Sequence, residues 1–216
     1  MITWKDQPIA FIDTETTGFD SKARIVEMSV LVYEHRRFAA QISAVVNPGN
    51  DVDWDHPSVI EAMHVNGLDR DLLKMSQGFA QLWPAFMVQI RRADLLCGQN
   101  LQFDMRMIAQ EHHRCGFETY VYAQTLDTMV LDWALNPGKE SYKLECVAAR
   151  WDISILGKHR AADDANLCAR ILVAMMDQLP DDKAEMIARF NRWEQEYRAW
   201  REKREQERAA RTKGQT

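Results

Sequence analysis

The residues of this chain that could do chemistry are acids and one histidine, placed where a strand ends or a helix begins. The first pair is Asp13-Thr14-Glu15, at the end of the apolar run Pro8-Ile9-Ala10-Phe11-Ile12 and just before Thr16-Thr17-Gly18. Alternate side chains of a strand share a face, so Asp13 and Glu15 point the same way, leading out of the line of Ile9 and Phe11. Two carboxylates side by side where a buried strand emerges repel each other and raise a pKa unless a cation sits between them. The competing reading is a strand running out into solvent. Asp104 ends the segment Gly98-Gln99-Asn100-Leu101-Gln102-Phe103-Asp104, in the first turn of a helix that follows a buried strand. An acid there also suits the helix dipole, so capping would explain it equally well. The third element, His159-Arg160-Ala161-Ala162-Asp163-Asp164, opens the last core helix. Asp163 and Asp164 stand four residues before the stripe positions Leu167 and Cys168, so at least one faces the sheet, and periodicity does not choose between them. His159 alone reads as an ordinary loop histidine.

These groups need elements to hold them. Pro8 to Thr14, Ile25 to Tyr33 and Phe38 to Val46 read as a three-strand meander with its turn at Glu34-His35-Arg36-Arg37. Asn47-Pro48-Gly49-Asn50 stops the third strand, and Asp51 to Asp71 reads as loop with a short helix around Pro57 to Met63. Then helices and strands alternate. A helix is marked by Phe79, Leu82, Trp83, Phe86, Met87 and Ile90, and Asp94 to Gly98 is a buried strand. The helix carrying Phe103, Met107 and Ile108 follows, then a strand near Tyr120 to Leu126, helices at Thr128 to Leu135 and Leu144 to Arg150, and a core helix from Ala161 to Gln178. The fold class is therefore α/β, a mixed sheet flanked by helices. After Leu179-Pro180-Asp181, Met186, Phe190, Trp193, Tyr197 and Trp200 recur at steps of four and three in a charged background, which predicts a long amphipathic helix. Residues 1–180 are expected to be one globular domain and 181–216 a charged amphipathic helix and fraying tail. The stripe needs a surface, either the body of the chain or a second copy, and a docking arm for a partner protein is the alternative.

At 216 residues and 46% hydrophobic composition the chain can build one sizeable core. No apolar run approaches the roughly 20 residues of a membrane span, and Met1-Ile2-Thr3-Trp4-Lys5-Asp6 lacks the features of a secretory signal, so a soluble, cytoplasmic protein without membrane partners is expected. Cys97, Cys115, Cys146 and Cys168 contain no CxxC pair and read as buried thiols rather than a zinc or disulfide framework. A net charge of −5 argues against a basic coat for nucleic acid but leaves open nucleic acid reached through bound divalent metal.

Taken together, the three acidic elements resemble the DnaQ-like, DEDDh class of 3′-to-5′ exonucleases of the ribonuclease-H-like superfamily. The resemblance runs from about Pro8 to Met176 and rests on Phe11-Ile12-Asp13-Thr14-Glu15-Thr16-Thr17-Gly18, Asn100-Leu101-Gln102-Phe103-Asp104 and His159-Arg160-Ala161-Ala162-Asp163-Asp164-Ala165, with support from Thr125-Leu126-Asp127-Thr128 and Tyr142-Lys143-Leu144. It implies metal-dependent removal of terminal nucleotides as 5′-monophosphates. In the family pattern the last acid follows the histidine by five positions, which selects Asp164. By this resemblance Asp13, Glu15, Asp104 and Asp164 are ligands of two Mg²⁺ or Mn²⁺ ions, and His159 is the general base. It also implies substrate contacts at Thr16, Thr17, His64 and Asn100, although a simple turn explains the two threonines equally well. Gln99 stands where many relatives carry histidine. The substrate is expected to be a nucleic acid 3′ end, single-stranded DNA first and RNA second. A catalytically idle binding domain is the remaining alternative; an idle domain has no need to keep an acidic cluster that destabilises the protein.

Overall fold

The central strand has two apolar faces, which is why it is buried on both. The structure, a computed structural model, describes residues 3–118, 124–155, 157 and 160–213. In β1 (Ile9–Thr16), Ile9 and Phe11 belong to one core cluster and Ala10 and Ile12 to another. β2 (Ile25–Glu34) and β3 (Arg37–Val45) complete the expected antiparallel meander. The turn between them is two residues long, with His35 and Arg36 at φ of 50° and 61°, the left-handed pair that a tight hairpin of this twist requires. β4 (Leu95–Gly98) lies parallel to β1 on its other side, and β5 (Thr125–Asp127) lies parallel to β4, giving the order β3-β2-β1-β4-β5.

Helices cover both faces. On the Ala10 and Ile12 side are α3 (Phe79–Ile90) and α4 (Leu101–Cys115). On the Ile9 and Phe11 side are α5 (Thr128–Leu135), α6 (Leu144–Arg150) and α7 (Ala161–Met175), the last continuing as a short 3₁₀ turn at Met176–Gln178. Ala161, Ala165 and Ala169 are fully buried along α7, and their size lets this helix lie close on β1 and β2. α1 (Pro57–Asn66) runs three residues beyond the expected helix, to a left-handed Gly67, and α2 (Arg70–Met75) arises in a stretch expected to begin as loop. Asp69 caps α2 by accepting from the Asp71 and Leu72 amides, a start signal that its short apolar content obscured. Of the strand expected near Tyr120 to Leu126, positions 119–123 lie outside the described residues.

α8 (Lys183–Lys213) is the long terminal helix. Met186, Phe190 and Tyr197 are buried in the same cluster as Phe11 and α7, so the stripe finds its surface on the body of this chain. Tyr197 and Trp200 stack around Trp133 of α5 and Tyr142, with ring centroids 5.5–6.5 Å apart. The root of α8 is tied to the N-terminus: the Trp4 indole donates to the Pro180 carbonyl at 2.8 Å and the Lys5 ammonium to Leu179 at 2.7 Å. Among the described residues no helix is long and apolar enough to cross a membrane. All four cysteines are free, with Cys97 and Cys168 buried and Cys115 and Cys146 only partly so.

Candidate active site

β1 delivers its two acids to one face by alternation. Asp13 and Glu15 continue the Ile9 and Phe11 row toward α7, whereas Thr14 faces α4. The first turn of α7 brings Asp164 to this row, and one carboxylate oxygen from each of Asp13, Glu15 and Asp164 lies within 4.8 Å of the others. Asp104, 3% exposed in the first turn of α4, accepts a hydrogen bond of 2.6 Å from the Thr14 hydroxyl. Its charge bears on Asp13, so β1 gathers acids from helices on both sides of the sheet.

The electrostatics follow from burial. Burial, then the charges of Asp104, Asp164 and Glu15, push the Asp13 carboxyl well above the ordinary range. Glu15 is pushed up to about 7, first by burial and then by Asp164 and Glu27, with Arg160 opposing. Asp104 is pushed up to about 7 by burial against the opposing hydrogen bonds from Thr14. Among the described residues no ion pair neutralises Asp13, Glu15 or Asp104. A set of hard carboxylate oxygens held together at such cost matches a divalent cation of the Mg²⁺ or Mn²⁺ type and is costly without one.

Asp163 and Asp164 are separated by the fold. Asp163 is exposed and packs on the backbone of Gly157, where a Cβ would lie 2.7 Å from the Asp163 Cγ. His159 lies outside the described residues. Capping is not the task of Asp104: Asp127, at the end of β5, accepts from the backbone amides of Asn100 and Leu101 at 3.0 and 2.9 Å and also from Met129 at 2.9 Å. One carboxylate thus caps α4 and α5 together, and burial opposed by these bonds leaves it at about 6. Asn100 turns the chain with φ of 58°, and at Gly98 a Cβ would meet Leu101 at 2.8 Å and the Ile12 carbonyl at 3.2 Å, so only glycine allows β4, β1 and α4 to close here.

Thr16 and Thr17 are buried and use their hydroxyls in the turn: Thr16 donates to the Gly18 carbonyl at 2.7 Å and Thr17 accepts from the Arg24 amide at 2.9 Å. His64 is exposed on α1, and it is Asn66 that reaches β1, donating to the Thr16 carbonyl at 3.4 Å. Gln99 is locked, donating to the Tyr142 carbonyl at 2.8 Å and accepting from Thr128 at 2.5 Å. Glu27 escaped the sequence reading. Only 2% exposed and paired with Glu15 across the strands, it binds the Arg160 guanidinium at 2.6–3.2 Å and accepts the Ala161 amide at 3.1 Å. It therefore caps α7 from the sheet and fixes the turn that carries Asp164. A glutamate inside the apolar strand Ile25-Val26-Glu27-Met28 was the available signal.

Residues 10–172 match the exonuclease family RNase_T. The chain belongs to this family. The exonuclease family that the three acidic elements resemble is therefore the chain's own. Among relatives in sequence, the 3′-5′ exonuclease DinG of Bacillus subtilis is 26% identical over 175 residues, 80% of this chain but only 18% of that protein. The DNA polymerase III subunit epsilon of Treponema pallidum is 25% identical over 167 residues, 76% of this chain and 74% of that one. In fold, the chain is similar to exonuclease X in complex with 5′ overhanging duplex DNA, with a TM-score of 0.65, 19% identity, and coverage of 83% of this chain and 98% of that one.

Proposed function

We propose that this chain removes nucleotides from the 3′ end of DNA, single strands above all, releasing nucleoside 5′-monophosphates. Asp13, Glu15, Asp104 and Asp164 would hold two divalent ions, Mg²⁺ or Mn²⁺, with His159 as the general base. The observation that carries the reading is the convergence of three carboxylates within 4.8 Å at the end of β1, with Asp104 buried beside Thr14. Bound divalent ions supply positive charge to phosphoryl oxygens and acidity to water.

The chain's own residues do the rest. Asp13, Glu15 and Asp164 offer oxygens on the α7 side of β1 and Asp104 one from the α4 side. An imidazole titrating near 6.5 is neutral above pH 7, so His159 can take the proton of the attacking water. The water oxygen bonds to the last phosphorus, the bond from that phosphorus to the 3′ oxygen of the preceding nucleotide breaks, and that oxygen takes up a proton. Thr16 and Thr17, with their hydroxyls occupied, contribute backbone groups to the terminal nucleotide, and His64 and Asn100 contribute side chains.

Residues 1–180 form the catalytic unit in this reading and 181–216 its appended helix, consistent with a family match that ends at position 172. One relative is a DNA polymerase subunit, so the setting we assign is cytoplasmic proofreading or repair, with a polymerase or repair partner, or a second copy, on the outer face of α8. The test is a pair of 5′-labelled oligonucleotides, DNA and RNA of one sequence, incubated with Mg²⁺ or Mn²⁺. A ladder shortening from the 3′ end of DNA and stopped by EDTA is expected. Intact DNA at high enzyme and metal overturns the activity, and faster trimming of RNA overturns the substrate.

A further inference from the structure

A polyanion must approach an acidic centre on a chain whose formal net charge is −5. Cations placed beside the site are one way past that repulsion. A groove of about 550 Å³ lies between α8 and the connection from α5 to α6, and its lining includes Lys143, Arg201, Arg204 and Arg208. Glu140, Glu145 and Glu205 also line it, three acids against four cations, so the lining is net positive where the chain is negative. The arginines fall at steps of three and four on one helix face, spanning about 10 Å at ~1.5 Å per residue. That span is long enough to meet more than one backbone phosphate of a strand. Aromatic faces lie among them: Trp200 is partly exposed, with its ring 5.6 Å from that of Tyr142, and the Arg204 guanidinium sits 4.9 Å from the Trp200 centroid.

The groove begins at the active site. β1 and β4 pair in parallel up to Phe11 beside Cys97, and a Cβ on Gly98 would lie 3.2 Å from the Ile12 carbonyl, so Asp13 and Gln99 each follow directly on a residue of that close approach. Gln99 and Asn100 form that end of the groove, and the Gln99 bond to the Tyr142 carbonyl ties the site to the groove wall. Arg201 and Arg204 are held there by weak, exposed contacts, to Glu205 at 3.1 Å and to the Glu140 carbonyl at 3.3 Å, which a phosphate can replace. α8 lies beyond the residues that match the exonuclease family, so this wall is a feature of the chain's own terminal helix.

We propose that this groove is a track for the single strand behind the scissile end, with Arg201, Arg204 and Arg208 on backbone phosphates and Trp200 offering a stacking face to a base. The proposal rests on the exonuclease reading. Its test uses the full chain with the double variant Arg201→Glu/Arg204→Glu, and Arg192→Glu, exposed on the same helix outside the groove, as control. Substrates are an oligonucleotide of about 20 nucleotides and a dinucleotide too short to reach α8. The double variant should lower the ratio of kcat/KM on the long substrate to that on the dinucleotide at least about tenfold, and should flatten the salt dependence by about 1–2 in log–log slope. The Arg192 variant should keep the wild-type ratio. Equal loss on both substrates, or an unchanged ratio, overturns the proposal. So does a change of mass in light scattering without a change of ratio, which would make the groove a surface for a second copy. If wild-type protein hydrolyses neither substrate, the activity fails separately. The groove is then judged by anisotropy of the labelled long oligonucleotide, where binding equal to wild type overturns it and binding weakened about tenfold upholds it.

Discussion

Buried carboxylates occur in this protein in two settings. Glu111 is held by Arg24 at 2.8 and 3.0 Å and by Arg114 at 3.1 Å, Asp132 by Arg150 and the Trp151 indole, and Glu27 by Arg160 and the amide of Ala161. At the end of β1, beside Glu27 across the strand pair, Asp13 and Glu15 come together with Asp164, Asp104 accepts the Thr14 hydroxyl, and among the described residues no ion pair joins Asp13, Glu15 or Asp104. The fold can supply a guanidinium wherever a buried acid serves structure. Where the guanidinium is withheld, the charge is kept for something that comes from outside. Arg160 marks the border, pairing with Glu27 while merely opposing the upward shift of Glu15.

The largest expected effect separates neighbours in sequence. Asp13→Ala and Asp164→Ala should each lower turnover about 10³-fold or more, whereas Asp163→Ala, at an exposed position, should stay within about threefold. Equal loss in both aspartate variants, measured on one oligonucleotide, would remove the distinction.

Stability should respond in opposite directions in the two settings. Glu111→Gln leaves Arg24 nearly buried without its partner and should destabilise by about 3 kcal/mol. Asp13→Asn removes a repelled charge and should raise the melting temperature of metal-free protein at pH 7.5. Denaturant titration of both variants in EDTA decides the matter, and destabilisation by both would erase the contrast.

The pH dependence has a definite sign. Glu15 and Asp104 titrate near 7 in the folded chain and near 4 when unfolded, so between these values the folded state binds more protons and stability falls as pH rises. Metal-free protein should melt several degrees higher at pH 5 than at pH 7.5, and Mn²⁺ should restore the difference at pH 7.5 while adding little at pH 5. A flat profile with and without metal would count against the cluster as the source.

Glu27→Gln should cost about 1–2 kcal/mol, because Arg160 can turn to solvent while the α7 cap weakens. The same variant should bind Mn²⁺ more weakly by calorimetry if Glu27 fixes the turn carrying Asp164; unchanged binding would confine it to stability.

Much of this was legible in the chain. The alternation of β1 and β2, the apolar block of β4 and the stripe of α8 each fix an element by which positions are apolar, and the elements in order yield the mixed sheet. Asp13, Glu15 and Asp104 could be named because strand ends and helix starts are local features. Other assignments were not local. Asp163 and Asp164 differ by one step of 100° on α7, and periodicity places both near the sheet. α2 depends on a capping aspartate rather than on a long apolar repeat.

The sequence by itself determined the elements, the acidic character of the site and the family pattern, because backbone periodicity and residue chemistry act over a few positions. Only the tertiary structure decided which acids meet, that Glu27 rather than a local residue caps α7, that Asp127 caps two helices at once, and that the aromatic stripe of α8 closes on its own chain. Those outcomes depend on contacts between residues as far apart as Glu27 and Arg160, or Trp133 and Trp200, whose distances no local pattern encodes.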